Sequence, residues 1–261
     1  HATAYLMAGL FESHDKGRFE TIAVSFGPDS PNEMRSRLQA TFDRFIDVRQ
    51  RSDREVALLL RELEVDIAID LKGYTIDSRP RIFACRFAPV QVNYLGYPGT
   101  MGADCMDYIL ADQQVIPPAH QACYTEKVVY LPDTYQVNDS KRRIAEHTPA
   151  RNEAGLPDSG FVFCCFNNNY KITPGIFECW MRLLANVEGG LLWLLEDNAA
   201  VVKNLRYEAE KRGIAPWRLV FAPRVKLEDH LARHRLADLF LDTLPYNAHT
   251  TASDALWSGL P

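Results

Sequence analysis

Three polar loops hold the side chains best suited to chemistry. The first reads Asp242-Thr243-Leu244-Pro245-Tyr246-Asn247-Ala248-His249-Thr250-Thr251-Ala252-Ser253-Asp254 and leads from an apolar run into a helical pattern. Thr251 and Asp254 stand at capping-box spacing, and the amides and dipole of such a first turn favour an anion such as phosphate. The same spacing also fits a helix cap with no ligand. The second loop, Phe166-Asn167-Asn168-Asn169-Tyr170-Lys171-Ile172-Thr173-Pro174, places amides, a phenol and one cation ahead of a proline suited to the first helical position. Lys171 can neutralise a phosphate as a point charge, or be an ordinary solvated lysine. The third pairs Lys72-Gly73-Tyr74 with Leu95-Gly96-Tyr97-Pro98-Gly99-Thr100-Met101-Gly102. Its glycines permit tight turns and close approach of backbone to a ligand, or simply connect sheet edges.

Better-known fingerprints do not occur. The sequence has no G-x-G-x-x-G, no G-x-x-x-x-G-K-[ST] and no G-x-S-x-G. Among the seven histidines, His1, His230 and His249 fall near the ends of elements. No pair of carboxylates stands out as the acid and base of a glycosidase.

The loops have to be held by the elements around them, and helical and extended patterns alternate along the chain. Helices are expected over residues 2–14, 32–42 and 53–63, with strands at 19–26, 45–48, 65–71, 90–94 and 108–110. The uninterrupted branched residues of the 65–71 strand suit one covered on both faces. A polar, charged stretch over residues 139–155 has the composition of a boundary. The pattern then restarts, with strands at 161–166, 191–195, 218–222 and 238–241 and helices at 174–185, 199–212, 227–235 and 252–258. Strands separated by single helices pair in parallel through crossovers, so both halves read as layered α/β sheets. Two such halves suggest a cleft, and ligands of open parallel sheets sit beyond the carboxyl ends of the strands.

Composition narrows the function classes. The 29 basic and 34 acidic side chains give a net charge of -5, which offers no attractive field to nucleic acid or an anionic membrane. The longest apolar runs, such as Leu191-Leu192-Trp193-Leu194-Leu195, fall far short of the ~20 residues of a membrane span, and no secretory signal opens the chain. Six cysteines without C-x-x-C spacing favour reduced thiols, a cytoplasmic setting and no structural zinc. The start at His1 and the stop at Gly259-Leu260-Pro261, where the pattern next requires a strand, read as a fragment of a longer chain.

The combination resembles the catalytic region of protein O-GlcNAc transferases, the SPINDLY-like glycosyltransferase family. The resemblance is carried by His1-Ala2-Thr3 with Leu6-Met7, Lys72-Gly73-Tyr74-Thr75, Ala88-Pro89-Val90-Gln91, Leu95-Gly96-Tyr97-Pro98-Gly99-Thr100, Met106-Asp107-Tyr108-Ile109, Phe166-Asn167 with Tyr170-Lys171, and His249-Thr250-Thr251 with Asp254-Ala255-Leu256-Trp257. It implies an α/β fold of two Rossmann-like domains facing across a cleft (GT-B). Residues 1–145 would form the acceptor-side domain, incomplete at its start, and residues 146–261 a truncated nucleotide-sugar-binding domain. It further implies transfer of N-acetylglucosamine from UDP-GlcNAc to serine or threonine hydroxyls of proteins with inversion and without a metal or other cofactor. The implied partners are a nucleotide sugar and a protein acceptor, not nucleic acid or membrane, with tetratricopeptide repeats upstream.

By the same resemblance, His1 would act near the sugar and acceptor as base or orienting group, and Lys171 would contact the diphosphate. Asn168 and Tyr170 would lie near the nucleotide, His230 against the uracil, and His249, Thr250 and Thr251 on the phosphates and sugar. Asp254 would hold the ribose hydroxyls, and Gly96, Pro98 and Gly99 join the donor contacts. The sequence departs from the animal pattern in three places. Asn168 stands for a glutamine, Leu227 for a lysine with Lys226 one residue earlier, and Ala252-Ser253 for Gly-Met. Two alternatives therefore stand beside the first reading: protein O-fucosylation from GDP-fucose, and a non-catalytic protein-binding module of the same fold.

Overall fold

A computed structural model describes residues 2–28 and 31–261. The chain divides into two compact units, His1–Lys141 and Arg142–Pro261. The divide falls inside the polar 139–155 stretch.

The first unit contains α1 (Ala2–Glu12), β1 (Ile22–Ser25), α2 (Glu33–Thr41), β2 (Arg44–Asp47), α3 (Asp53–Glu62), β3 (Ile67–Asp70), α4 (Arg81–Ala84), β4 (Val90–Tyr94), β5 (Tyr108–Ala111) and β6 (Lys127–Tyr130). β1 and β2 pair in parallel, and β3, β4, β5 and β6 form a second parallel sheet in that order. α3 shows how local chemistry sets an element. Ser52 and Glu55 form a full capping box at its start, and Val56, Ala57 and Leu60 recur at helical spacing to bury one face. That face packs with Val48, Ala68, Ile82 and Phe87.

One expectation for this unit needs correction, and one strand was not expected. β3 is an edge strand with alternating burial: Ala68 and Asp70 are buried, whereas Ile67 and Ile69 are 56% and 48% exposed, so it is not covered on both faces. Branched composition is shared by central and edge strands, so it could not tell the two apart. β6, with only Lys-Val-Val-Tyr, is too short for its period to be read from sequence.

The second unit contains β7 (Val162–Cys165), α5 (Pro174–Asn186), β8 (Leu191–Leu195), α6 (Ala199–Glu210), β9 (Leu219–Ala222), α7 (Leu227–Arg233), β10 (Leu239–Phe240) and α8 (Thr250–Trp257). Its strands are all parallel in the order β9-β8-β7-β10. Every residue of β8 is buried, as a central strand covered on both faces requires. One face buries Val162, Cys164, Leu191, Trp193 and Val220. The other buries Phe163, Cys165, Leu192 and Leu194 under Phe177, Trp180, Met181 and Leu184 of α5.

The order positions the site. The chain steps outward from β7 to β8 and β9, then returns to place β10 on the opposite side of β7. The helices that follow β7 and β10 pack on opposite faces of the sheet, α5 over Phe163 and Leu192 and α8, through Ala255, with Cys164 and Trp193, which opens a crevice at the carboxyl ends of the two strands, where open α/β sheets bind ligands. The loops leaving that switch point are the Asn167–Thr173 and Asp242–His249 segments singled out above.

Candidate active site

The two loops are laced together by side chains. Asn167, 2% exposed, donates from Nδ2 to Thr243 Oγ1 at 2.8 Å and accepts at Oδ1 from the Thr251 hydroxyl. Asp242 ends the apolar run of β10 and accepts from the Thr243 amide at 2.7 Å, the Ala248 amide at 2.6 Å and Asn247 Nδ2 at 2.9 Å. Thr243 Oγ1 then donates to Tyr246 O at 2.8 Å, and Thr173 Oγ1 to Leu244 O at 3.2 Å. A buried amide and a carboxylate thus give the loop after β10 the internal order that loops usually lack.

Lys171 is held by this frame. Its Nζ donates to Asn247 O at 2.8 Å and lies 4.0 Å from the centroid of the Tyr246 ring. Burial pulls the amine below the ordinary lysine value, and the nearby Asp242 carboxylate opposes that. Tyr170, 71% exposed, stands 6.3 Å from Tyr246, and His249 lies 5.9 Å from the same ring. Lys171, Tyr170, His249 and the start of α8 therefore form one cluster at the switch point.

The expected cap between Thr251 and Asp254 does not form. α8 begins at Thr250, two residues earlier than expected, and its N-cap residue, His249, makes no side-chain capping bond to the first turn. Both supposed capping groups are engaged elsewhere: Thr251 bonds Asn167, and the buried Asp254 carboxylate pairs with Arg142. Burial pushes the Asp254 carboxyl up, and the Arg142 guanidinium opposes that. The first turn of α8 consequently keeps its donors uncapped by the N-cap side chain, beside Thr250 and His249. Burial holds the His249 imidazole below the usual histidine range, with Lys171 adding to the effect, so it is neutral near pH 7.

His230 occupies a second cluster, between α7 and the end of β7. Its ring meets Phe166 at 5.3 Å and His234 at 4.7 Å. Arg233, 5% exposed, reaches His230 Nδ1 with Nη2 at 2.5 Å and donates from Nη1 to Pro223 O at 2.7 Å. A guanidinium carries only donors, so Nδ1 accepts and the imidazole proton sits on Nε2. Burial first, then the Arg233 charge, push the His230 pKa down to about 3. Asn168 accepts at Oδ1 from Arg224 Nη2 at 3.3 Å, which ties the loop after β7 to the loop before α7.

In the first unit, Gly96, Pro98 and Gly99 lie in the loop at the carboxyl end of β4. A Cβ on Gly96 would stand 2.1 Å from Leu71 O, so only glycine allows this crossing of two backbone segments. Asn93, fully buried, donates from Nδ2 to Tyr97 O at 3.0 Å and Gly99 O at 3.1 Å. Glu126, 3% exposed, accepts from Thr100 Oγ1 at 2.6 Å and the Met101 amide at 2.5 Å. His1 lies outside the described residues.

Sequence reasoning overlooked Asn167, Asp242, Tyr246, Asn93, Glu126, Arg142 and Arg233 as working residues. One signal was available. Asp70, Asp112 and Asp242 each close a short apolar strand, and each accepts amide hydrogens of the turn that follows. An aspartate directly after an apolar run marks such a turn. Among the described residues, no group of three His, Cys, Asp or Glu side chains could hold a metal ion, and no helix is long and apolar enough to cross a membrane.

Two parallel α/β units, one with polar loops converging on a switch point, define the Rossmann-like class of the GT-B glycosyltransferases. The family description "Glycosyl transferase family 41" matches residues 1–149 and 144–261, and the chain belongs to that family. It is 36% identical over 266 residues to the probable UDP-N-acetylglucosamine--peptide N-acetylglucosaminyltransferase SEC of Arabidopsis thaliana, a match covering 100% of this chain and 27% of that protein. The corresponding protein SPINDLY of Petunia hybrida is 29% identical, with 100% of this chain and 28% of that protein covered. The solved structure of a mutant O-GlcNAc transferase of Thermobaculum terrenum superposes with a TM-score of 0.90 at 32% identity, covering 100% of this chain and 49% of that one. The chain thus spans about a quarter of these curated relatives.

Proposed function

We propose that the complete protein is an inverting glycosyltransferase that moves N-acetylglucosamine from UDP-GlcNAc to serine or threonine hydroxyls of proteins. The observation that carries this reading is the meeting of Lys171, the Asp242–His249 loop and the uncapped start of α8 at the carboxyl ends of β7 and β10. The names of the SEC and SPINDLY relatives support the choice of donor and peptide acceptor.

In this reaction the acceptor oxygen attacks the anomeric carbon while the glycosidic oxygen leaves on UDP, and negative charge grows on the diphosphate. A helix dipole contributes at most ~2 kcal/mol, whereas enzymes lower barriers by ~8–23 kcal/mol. Lys171, the Thr250 hydroxyl, the first amides of α8 and the alignment of both substrates supply most of the remainder, while Thr251, whose hydroxyl hydrogen goes to Asn167, holds that turn beside the phosphates and sugar. The positive charge is the lysine's, and the scheme calls on no metal ion or cofactor. His249, neutral, serves the phosphates and sugar as a hydrogen-bonding group.

His230 lies against the uracil and offers its Nε2–H as a donor. Asn168 and Tyr170 flank the nucleotide, and Asp254, held by Arg142, takes the ribose hydroxyls. His1 acts as base or orienting group at the acceptor, and Gly96, Pro98 and Gly99 approach the donor sugar. The setting is cytoplasmic, with no role for nucleic acid or lipid. The test is mass spectrometry of acceptor proteins after incubation of the complete protein with UDP-GlcNAc or GDP-fucose. Added N-acetylhexosamine supports the reading, added deoxyhexose replaces it with fucosyl transfer, and failure to bind either nucleotide sugar leaves a non-catalytic module.

A further inference from the structure

We infer that Tyr246 is a positioning residue for Lys171, its ring face fixing the ammonium that the proposed transfer depends on. This rests on the reading of Lys171 given above. A lysine amine rides on a flexible four-carbon stem and has three donors. Here one donor goes to Asn247 O at 2.8 Å, and the ring centroid of Tyr246 lies 4.0 Å from Nζ. Two contacts of different kinds, from consecutive residues of one loop, define the position of the charge.

The kind of contact matters. Among the described residues Lys171 makes no ion pair, and the carboxylate facing it, Asp242, spends its hydrogen bonds on Thr243, Ala248 and Asn247. A carboxylate partner would neutralise the charge that a diphosphate needs. An aromatic face attracts the cation through its quadrupole yet carries no net charge, so the ring holds the ammonium without adding a second negative group beside Asp242. Burial does not account for the ring's placement, since Tyr246 is 50% exposed. Its backbone is pinned instead, through the 2.8 Å bond from the fully buried Thr243 hydroxyl to Tyr246 O.

The test compares Tyr246→Leu, which keeps apolar bulk but removes the quadrupole, with Tyr246→Phe, which keeps it. In the complete protein we expect Tyr246→Leu to lower kcat by about tenfold while UDP affinity changes less than about threefold, and Tyr246→Phe to recover most of that loss. A separate readout is the NMR titration of the Lys171 amine, whose facing ionisable groups are Asp242, Cys165 and His249. Its pKa should fall in Tyr246→Leu and not in Tyr246→Phe. Wild-type kcat in Tyr246→Leu, equal impairment of both variants, or an unmoved amine titration would overturn the inference. If the wild-type protein transfers no sugar from any donor, the functional reading fails, and the amine titration alone decides the role of Tyr246.

Discussion

Thr251 donates its hydroxyl hydrogen to the carboxamide oxygen of Asn167, tying the start of α8 to the loop after β7. The other end of the same carboxamide donates to Thr243, so one buried side chain ties the loop after β7 to both ends of the stretch between β10 and α8, 76 and 84 residues away in sequence. Asn167→Ala leaves Thr251 and Thr243 without these partners in a nearly closed space. The expected loss of stability is about 1–3 kcal/mol, read from urea unfolding, with weaker UDP binding by calorimetry. Asn167→Asp should bind UDP less tightly still, because it adds a negative charge beside Asp242 at the anion site.

Lys171→Ala removes the cation and leaves the loop frame made by Asn167, Asp242 and Thr243 in place. Turnover should fall by roughly 10²–10³-fold, the range for loss of one preorganised charge-stabilising group. UDP should still bind measurably, since the α8 amides and the His230 cluster are untouched. Single-turnover kinetics with UDP-GlcNAc would check this, and wild-type turnover would remove Lys171 from the chemistry.

The alternation of strands and helices, the polar boundary and the loops after β7 and β10 were all legible, because each rests on local pattern. Lys171 stood out as the one cation in a loop of amides. Partners distant in the chain were not legible. Thr251 and Asp254 have the spacing of a cap, but Asn167 and Arg142, 84 and 112 residues away in sequence, take their side chains. The same limit hid the exposed face of β3, which depends on its place at a sheet edge, and the strand order that makes β7 and β10 neighbours. Tyr246 escaped notice for a further reason: an aromatic residue in a loop acquires a role only when a cation is brought over it.

Two glycines give opposite expectations for the same substitution. Gly96→Ala would drive a methyl group into the Leu71 carbonyl, which as backbone has little room to move, so a loss of about 3 kcal/mol or outright misfolding of the first unit is expected. Gly175 lies in the first turn of α5 with nothing near its missing Cβ. Gly175→Ala should therefore raise stability by roughly 0.5–1 kcal/mol. Thermal unfolding of the two variants beside wild type tests both, and a stable Gly96→Ala protein would contradict the close backbone crossing.

Histidine burial makes the second unit acid-sensitive in a definite direction. Burial pushes His234, 1% exposed, from the usual 6.5 down to about 4, and His230 down to about 3. Their folded values lie below the unfolded one, so between about pH 6.5 and those values the unfolded chain binds more protons and stability falls as pH falls. Each such histidine contributes a slope of up to about 1.4 kcal/mol for every pH unit. Over pH 5–6, above the range where carboxylates titrate, the two should act nearly alone within this cluster. His234→Asn should then remove its own share of the slope in urea-unfolding stability across that interval, about 1 kcal/mol for every pH unit, leaving the shares of His230 and His249 in place. An unchanged slope would mean that the imidazole is already protonated in the folded protein. The same neutrality bears on binding, because His230 can present Nε2–H while accepting from Arg233 only so long as its ring carries a single proton. Affinity for UDP-GlcNAc, whose diphosphate has no group titrating near pH 6, should accordingly gain no pH dependence from His230 down to pH 5, with any decline tracking the loss of folded protein; a decline in the still-folded protein that disappears in His230→Asn would contradict this.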